Sequence, residues 1–170
     1  MNQQNNAIGQ YIHHSTCRCC ESKNLIKVMD FGNMPLAGGF LKEEQFSEEK
    51  LYPLHVSFCQ DCTLVQVPQA IPPATLFKDY FYFSSAIKTL VEHCTQWASD
   101  AYARFLKDRP NPSVFEIGCN DGVMLKPFAA LGVKAVGVDP ATNVVASVKQ
   151  EGFTIVNDFY YPKQVRKVVG

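Results

Sequence analysis

The chain has 170 residues, 46% of them hydrophobic and 12% aromatic, with 16 basic and 16 acidic side chains. That length suits one ordinary domain or two small ones, and a zero charge balance leaves no electrostatic footprint for nucleic acid or an anionic membrane. No apolar run reaches the length of a membrane span. The polar start, residues 1–12, lacks the basic and apolar regions of a secretory leader and reads as a flexible tail, so a cytoplasmic location is expected.

Residues 13–75 are rich in Cys, Pro, Gly and short apolar runs, without long helical periodicity. In a reducing compartment, paired Cys-x-x-Cys motifs read as metal sites rather than disulfides. Cys17 and Cys20 form one such pair and Cys59 and Cys62 the other. Two residues between ligands let both thiolates of a knuckle reach one tetrahedral ion, and two knuckles complete a four-thiolate zinc site. The longer loop between the knuckles costs little, because closure entropy grows slowly with length. Cys19 falls at the wrong spacing and is left as a spare thiol; His13 or His14 is an alternative ligand. A site filled by four thiolates has no open position, so the zinc is expected to be structural.

Residues 76–112 hold an aromatic cluster, a helix and a linker. Ile87, Leu90, Val91, Cys94, Trp97, Ala98, Ala101, Tyr102 and Phe105 recur at three- and four-residue steps and predict one broad apolar helix face. Ser84 or Ser85 is the expected N-cap, and Cys94 a packed core residue. Arg109-Pro110-Asn111-Pro112 ends the pattern.

From residue 113 the pattern alternates: strand 113–117, helix 123–131 closed by Gly132, strand 134–138, helix 141–150 closed by Gly152, and strand 153–156. Pro127 is awkward but tolerable near a helix start. Strand, helix, strand, helix, strand predicts the first part of a parallel, Rossmann-like α/β sheet. The loop Glu116-Ile117-Gly118-Cys119-Asn120-Asp121-Gly122 leaves a strand and opens a helix, where backbone N–H groups meet a ligand. It lacks the three glycines of a dinucleotide fingerprint. Its carboxylates would repel a pyrophosphate but suit an amino group and a sulfonium. Asp139, ending the next strand 23 positions after Glu116, stands where a carboxylate takes ribose hydroxyls. Together these point to S-adenosylmethionine rather than NAD. Asp158, after the third strand, is a candidate for the adenine end or else a solvated loop carboxylate.

These motifs carry a family resemblance. Cys17-Arg18-x-Cys20, Asp30-Phe31-Gly32-x-x-Pro35-Leu36-Ala37, Tyr52-Pro53-Leu54, Cys59-x-x-Cys62-x-Leu64-Val65-Gln66, Leu76-Phe77-x-x-Tyr80-x-Tyr82-x-Ser84-Ser85, the Glu116–Gly122 loop and Gly137-Val138-Asp139-Pro140-Ala141-x-Asn143 follow one another in the order found in sugar-nucleotide C-methyltransferases. Over roughly residues 15–160 the chain resembles the N-terminal part of that family. The resemblance implies a zinc-binding domain ahead of an S-adenosylmethionine domain, and methyl transfer to a sugar carbon beside a keto group in a deoxysugar nucleotide. It implies cofactor contacts at Glu116, Gly118, Asn120, Asp121, Gly122, Asp139 and Pro140, and a covering segment from Tyr80 through Ser84 to Ser85. Tyr82, with Tyr80, is the candidate for orienting the methyl group or the enolate oxygen; packing is the alternative for both. The general base is expected beyond residue 170, and a three-stranded sheet is expected to leave an edge for further chain, a partner or an oligomer to cover. Two rival readings are a zinc-dependent interaction module with a degenerate, non-catalytic methyltransferase remnant, and a zinc-ribbon nucleic-acid binder, against which the neutral charge counts.

Overall fold

A computed structural model describes residues 8–38 and 40–163. The chain divides into two compact units, Met1–Pro73 and Ala74–Gly170.

The first unit is built on antiparallel strands. β1 (Ile12–His13) pairs with β5 (Gln69–Ala70), and β2 (Leu25–Pro35), β3 (Leu51–Cys59) and β4 (Val65–Gln66) form a sheet in the order β2-β3-β4. The β2–β3 register slips twice, between Lys27 and Met29 and between Asp30 and Asn33. At the second slip Gly32 has φ +71°, and its N–H donates to Asp30 Oδ1 at 2.9 Å. A glycine takes that left-handed backbone without strain. Among the described residues, the helical content of this unit is a 3-10 segment, Glu43–Glu48, and the first residue of α1 (Pro73–Phe77).

Its interior is thin. Among the described residues, the buried apolar or sulfur side chains here are Cys17, Tyr52, Cys59 and Pro68, beside buried Ser57, Gln66 and Gln69. By contrast, Ile26, Val28, Met29, Phe31 and Met34 along β2 are all exposed.

The second unit holds a parallel sheet of β6 (Ser113–Ile117), β7 (Lys134–Val138) and β8 (Phe153–Val156), in the order β6-β7-β8. α2 (Lys88–Ala101), α3 (Leu125–Ala130) and α4 (Thr142–Ser147) complete the strand–helix alternation. The mixed α/β, Rossmann-like class expected from the pattern is the one observed. β7 is the central strand, with Ala135, Val136, Gly137 and Val138 all buried, as a parallel strand covered on both faces requires. Ala98, Cys119, Leu125, Phe128, Val133, Ala135, Val145, Phe153 and Ile155 form one contiguous core. Gly137 is fixed by packing: a Cβ there would run into Cys119 Sγ and sit 2.7 Å from Leu125 Cδ1. β6 pairs on one side only among the described residues, and Ile117 at its end is exposed.

Local details depart from expectation for identifiable reasons. Neither Ser84 nor Ser85 caps α2. They lie in a 3-10 turn (Ser84–Ala86), and Ile87 occupies the N-cap without a side-chain bond. The apolar face of α2 buries Cys94 and Ala98, whereas Ile87, Trp97 and Phe105 stay largely exposed. α2 runs into a π-helical turn, Tyr102–Leu106. α3 begins two residues later than expected, which puts Pro127 in its first turn, where no helical N–H is lost. Gly132 follows the helix at φ +75°, as a closing glycine should. α4 ends at Ser147 rather than Gln150, because Val148 is already extended (ψ 126°).

Candidate functional site

The first unit brings its four predicted cysteines together. The Sγ atoms of Cys17, Cys20, Cys59 and Cys62 all lie within 4.8 Å of one another, with Cys17–Cys62 at 3.5 Å and Cys20–Cys59 at 3.6 Å. Zn–S bonds of about 2.3 Å in a tetrahedron place sulfurs about 3.8 Å apart, so the set fits zinc.

The two knuckles share one local design. Glu21 N–H donates to Cys17 O (2.9 Å) and Cys17 N–H to Ser22 O (2.8 Å); Thr63 N–H donates to Cys59 O (2.9 Å) and Cys59 N–H to Leu64 O (2.9 Å). The residue after each second cysteine, Glu21 or Thr63, is left-handed, at φ 61° and 63°. Backbone N–H groups of Cys20 and then Cys19 lower the Cys17 thiol to about 6. At Cys62 the Leu64 N–H pulls down, but Cys20, burial and the other two thiols outweigh it and the pKa stands at about 12. A cation among the four sulfurs favours thiolate throughout.

A polar bridge joins the knuckles. Asp61 accepts from Ser22 Oγ (2.5 Å) and Asn24 Nδ2 (3.0 Å), and Gln60 N–H donates to Asn24 O (3.0 Å). Cys19 is exposed and outside the cluster, and neither His13 nor His14 belongs to it. The bridge was not anticipated; the Asp61 and Ser22 positions beside the ligands were the available signal.

In the second unit, the ends of the three parallel strands gather the predicted ligand loops. Gly118 N–H donates to Val138 O (2.8 Å) and Asp139 N–H to Val156 O (3.0 Å), so the loops after β6, β7 and β8 lie side by side. This is the edge where open α/β sheets bind ligands. Gly118 is exposed, at φ +72°, with open space where a Cβ would stand.

Asp139 is 7% exposed, and both carboxylate oxygens accept backbone N–H groups: Oδ2 from Asn120 (2.8 Å) and Oδ1 from Ala141 (2.9 Å). It therefore ties the first loop to the second, with Pro140 held inside its turn; each oxygen keeps a further lone pair. Asn157 Nδ2 donates to Asp139 O at 3.0 Å. Asp158 Oδ1 accepts from Phe159 N–H at 2.7 Å, a local loop contact.

Two buried carboxylate oxygens flank Gly118 in sequence and have no partner among the described residues: Glu116 Oε2 and Asp121 Oδ1. Burial first, and then the charge of Asp139, push the Glu116 carboxyl up to about 7. Unanswered acceptors near an open glycine in the chain fit a ligand rich in donors or positive charge, which S-adenosylmethionine is.

Segment 80–85 is fastened to these loops by side-chain amides. Asn120 (φ 50°) donates through Nδ2 to Tyr82 O (3.0 Å) and accepts at Oδ1 from Ser84 N–H (2.9 Å). Asp121 Oδ2 accepts from Ser85 N–H (2.9 Å). Asn143 Oδ1 accepts from Tyr80 N–H (2.9 Å) and its Nδ2 donates to Tyr80 O (2.7 Å). Asn143 had no assigned role from sequence; its place in the Gly137–Asn143 motif, four residues after Asp139, was the available hint.

Comparisons with known proteins agree with this division. Residues 17–77 match the family described as "Putative zinc binding domain". Residues 90–166 match the family described as "Methyltransferase domain". Over 138 residues the chain is 34% identical to the C-methyltransferase NovU of Streptomyces niveus, covering 80% of this chain and 32% of that protein. The chain thus spans about a third of the length of the curated relative it matches. No helix among the described residues is long and apolar enough to cross a membrane. The chain carries a zinc-binding domain followed by a methyltransferase domain, and over four-fifths of its length it is similar to a C-methyltransferase.

Proposed function

We propose that this chain supplies the zinc-binding and cofactor-binding parts of an S-adenosylmethionine-dependent C-methyltransferase acting on a keto-deoxysugar nucleotide in the cytoplasm. The observation that carries the reading is the open backbone of Gly118 at the ligand edge of the sheet, with two unpartnered carboxylate oxygens, Glu116 Oε2 and Asp121 Oδ1, close to it in sequence. Likeness to a C-methyltransferase supports the reaction class. Seven free cysteines support a reducing compartment.

In this reading Cys17, Cys20, Cys59 and Cys62 hold a structural zinc ion. Glu116, Gly118, Asn120, Asp121, Gly122, Asp139, Pro140, Ser84 and Asp158 form the cofactor site. When bound there, S-adenosylmethionine supplies an electrophilic methyl group on a sulfonium. The carboxylates of Glu116 and Asp121 favour its positive charges, and the remaining lone pairs of Asp139 accept hydroxyl donors. Tyr82 is tied by its carbonyl to Asn120 of the loop and Tyr80 by its backbone to Asn143, and in this reading their phenols orient an enolate oxygen or the transferring group. The sugar nucleotide itself is carried by the resemblance alone.

Calorimetric titration with S-adenosylhomocysteine tests the cofactor reading: one ligand per chain is expected, and no binding contradicts it. Elemental analysis tests the metal reading. About one zinc per chain is expected, and a metal-free chain with an intact first unit contradicts it.

A further inference from the structure

We infer that Asn143 is a positioning residue that holds the tyrosine segment over the cofactor loop. Asn143 replaces a neighbouring strand. A β-strand fixes an adjacent backbone by taking an N–H and offering an N–H to the carbonyl. Asn143 does both to the single residue Tyr80, at 2.9 and 2.7 Å. Asn120 repeats the device two residues on, spanning Tyr82 O and Ser84 N–H. Thr142 N–H adds a bond to Lys78 O (3.0 Å) just before the segment.

The two amides hold the segment from different loops. Asn120 belongs to the loop after β6, and Asn143 to the helix that follows the loop after β7. Asp139 links these supports, because it fixes the Asn120 backbone through Oδ2 and its own turn through Oδ1. A ligand that orders the loop therefore also orders the segment carrying Tyr80 and Tyr82. No helix and no ladder of strands fixes residues 78–83; the side-chain amides tie their backbone to the loops, and the Tyr80 ring packs against Phe77 and Phe81. The functional consequence rests on the cofactor reading given above; the clamp itself does not.

The test is amide hydrogen exchange on the chain and on Asn143→Ala, read on peptides covering residues 79–86 and on β7. Asn143 is exposed, so its truncation leaves no hole in the core. Loss of two hydrogen bonds is expected to speed exchange in residues 79–86 by about tenfold or more and to leave β7 unchanged. Asn143→Asp keeps the acceptor and loses the donor, and an intermediate rate is expected. S-adenosylhomocysteine is expected to slow exchange of the same segment in the wild type. Its dissociation constant should rise by about threefold to tenfold in Asn143→Ala, because the ligand must then also close the segment.

Unchanged exchange in residues 79–86 overturns the clamp. Faster exchange spread equally over β7 also overturns it, because that is a loss of fold rather than of positioning. If the wild type binds no S-adenosylhomocysteine while the exchange result holds, the cofactor reading fails and the clamp stands.

Discussion

The two units solve the problem of staying folded in opposite ways. The second has a contiguous core of nine buried side chains under a parallel sheet. The first buries little beyond Tyr52, Pro68 and two of its own metal-ligating cysteines, and leaves five large apolar side chains of β2 in the open. Burial drives folding at roughly 25 cal/mol per Å² of apolar surface, so the first unit lacks the means available to the second. Four thiolates and one ion replace the missing core, as they do in other small turn-rich domains. Chemistry follows the same division. The unit with a rigid core presents the ligand loops, whereas the unit held by metal fills every coordination position with protein.

The sharpest way to break this comparison is to remove the metal. A strong chelator, or Cys59→Ser, is expected to abolish amide protection across β2, β3 and β4 and to leave β7 protected, as followed by hydrogen exchange. Next in size is a core truncation in the other unit. Leu125 is fully buried, and Leu125→Ala should cost about 3 kcal/mol in denaturant unfolding of the second unit, with zinc content unchanged.

A pH effect comes third. Burial raises the Glu116 carboxyl from 4.5 to about 7 in the folded chain. An acid whose native pKa is raised binds its proton more tightly when folded. Its stabilising share is therefore present below pH 4.5, is lost as pH rises towards 7, and is absent above that. Glu116→Gln should match the wild type near pH 4 and exceed it at pH 8. The gain is on the order of 1–2 kcal/mol after discounting for the group's partial exposure, measured by urea unfolding at both values. The smallest expected effect is at the bridge between knuckles. Asp61→Asn should retain the fold and weaken zinc by about tenfold in a chelator competition.

Much of this molecule was legible in its sequence because the relevant rules are local. Cys-x-x-Cys spacing fixes what one ion can reach, and alternating strand and helix periods fix a parallel α/β sheet. Those rules placed Cys17, Cys20, Cys59 and Cys62 together, and set Asp139 beside the Gly118 loop. The misreadings came where a distant group competed with a local preference. Ser84 and Ser85 are good caps by chemistry, yet they lie in a 3-10 turn tied to Asn120 and Asp121, 36 residues away, and α2 starts only at Lys88. Trp97 and Phe105 fitted the helix period and still stayed exposed, since periodicity counts residues and does not say how much surface lies opposite. The Asp61 bridge and the Asn143 clamp were invisible for the same reason: each joins residues tens of positions apart.

The central claim is that the metal builds one unit and the ligand belongs to the other. Its most direct test is calorimetric titration of S-adenosylhomocysteine into the zinc-loaded chain and into the same chain stripped by chelator. One ligand per chain is predicted in both, with dissociation constants that agree within about threefold, a difference well under 1.4 kcal/mol. Loss of binding on stripping would contradict the account, because it would make the four-thiolate unit part of the cofactor site.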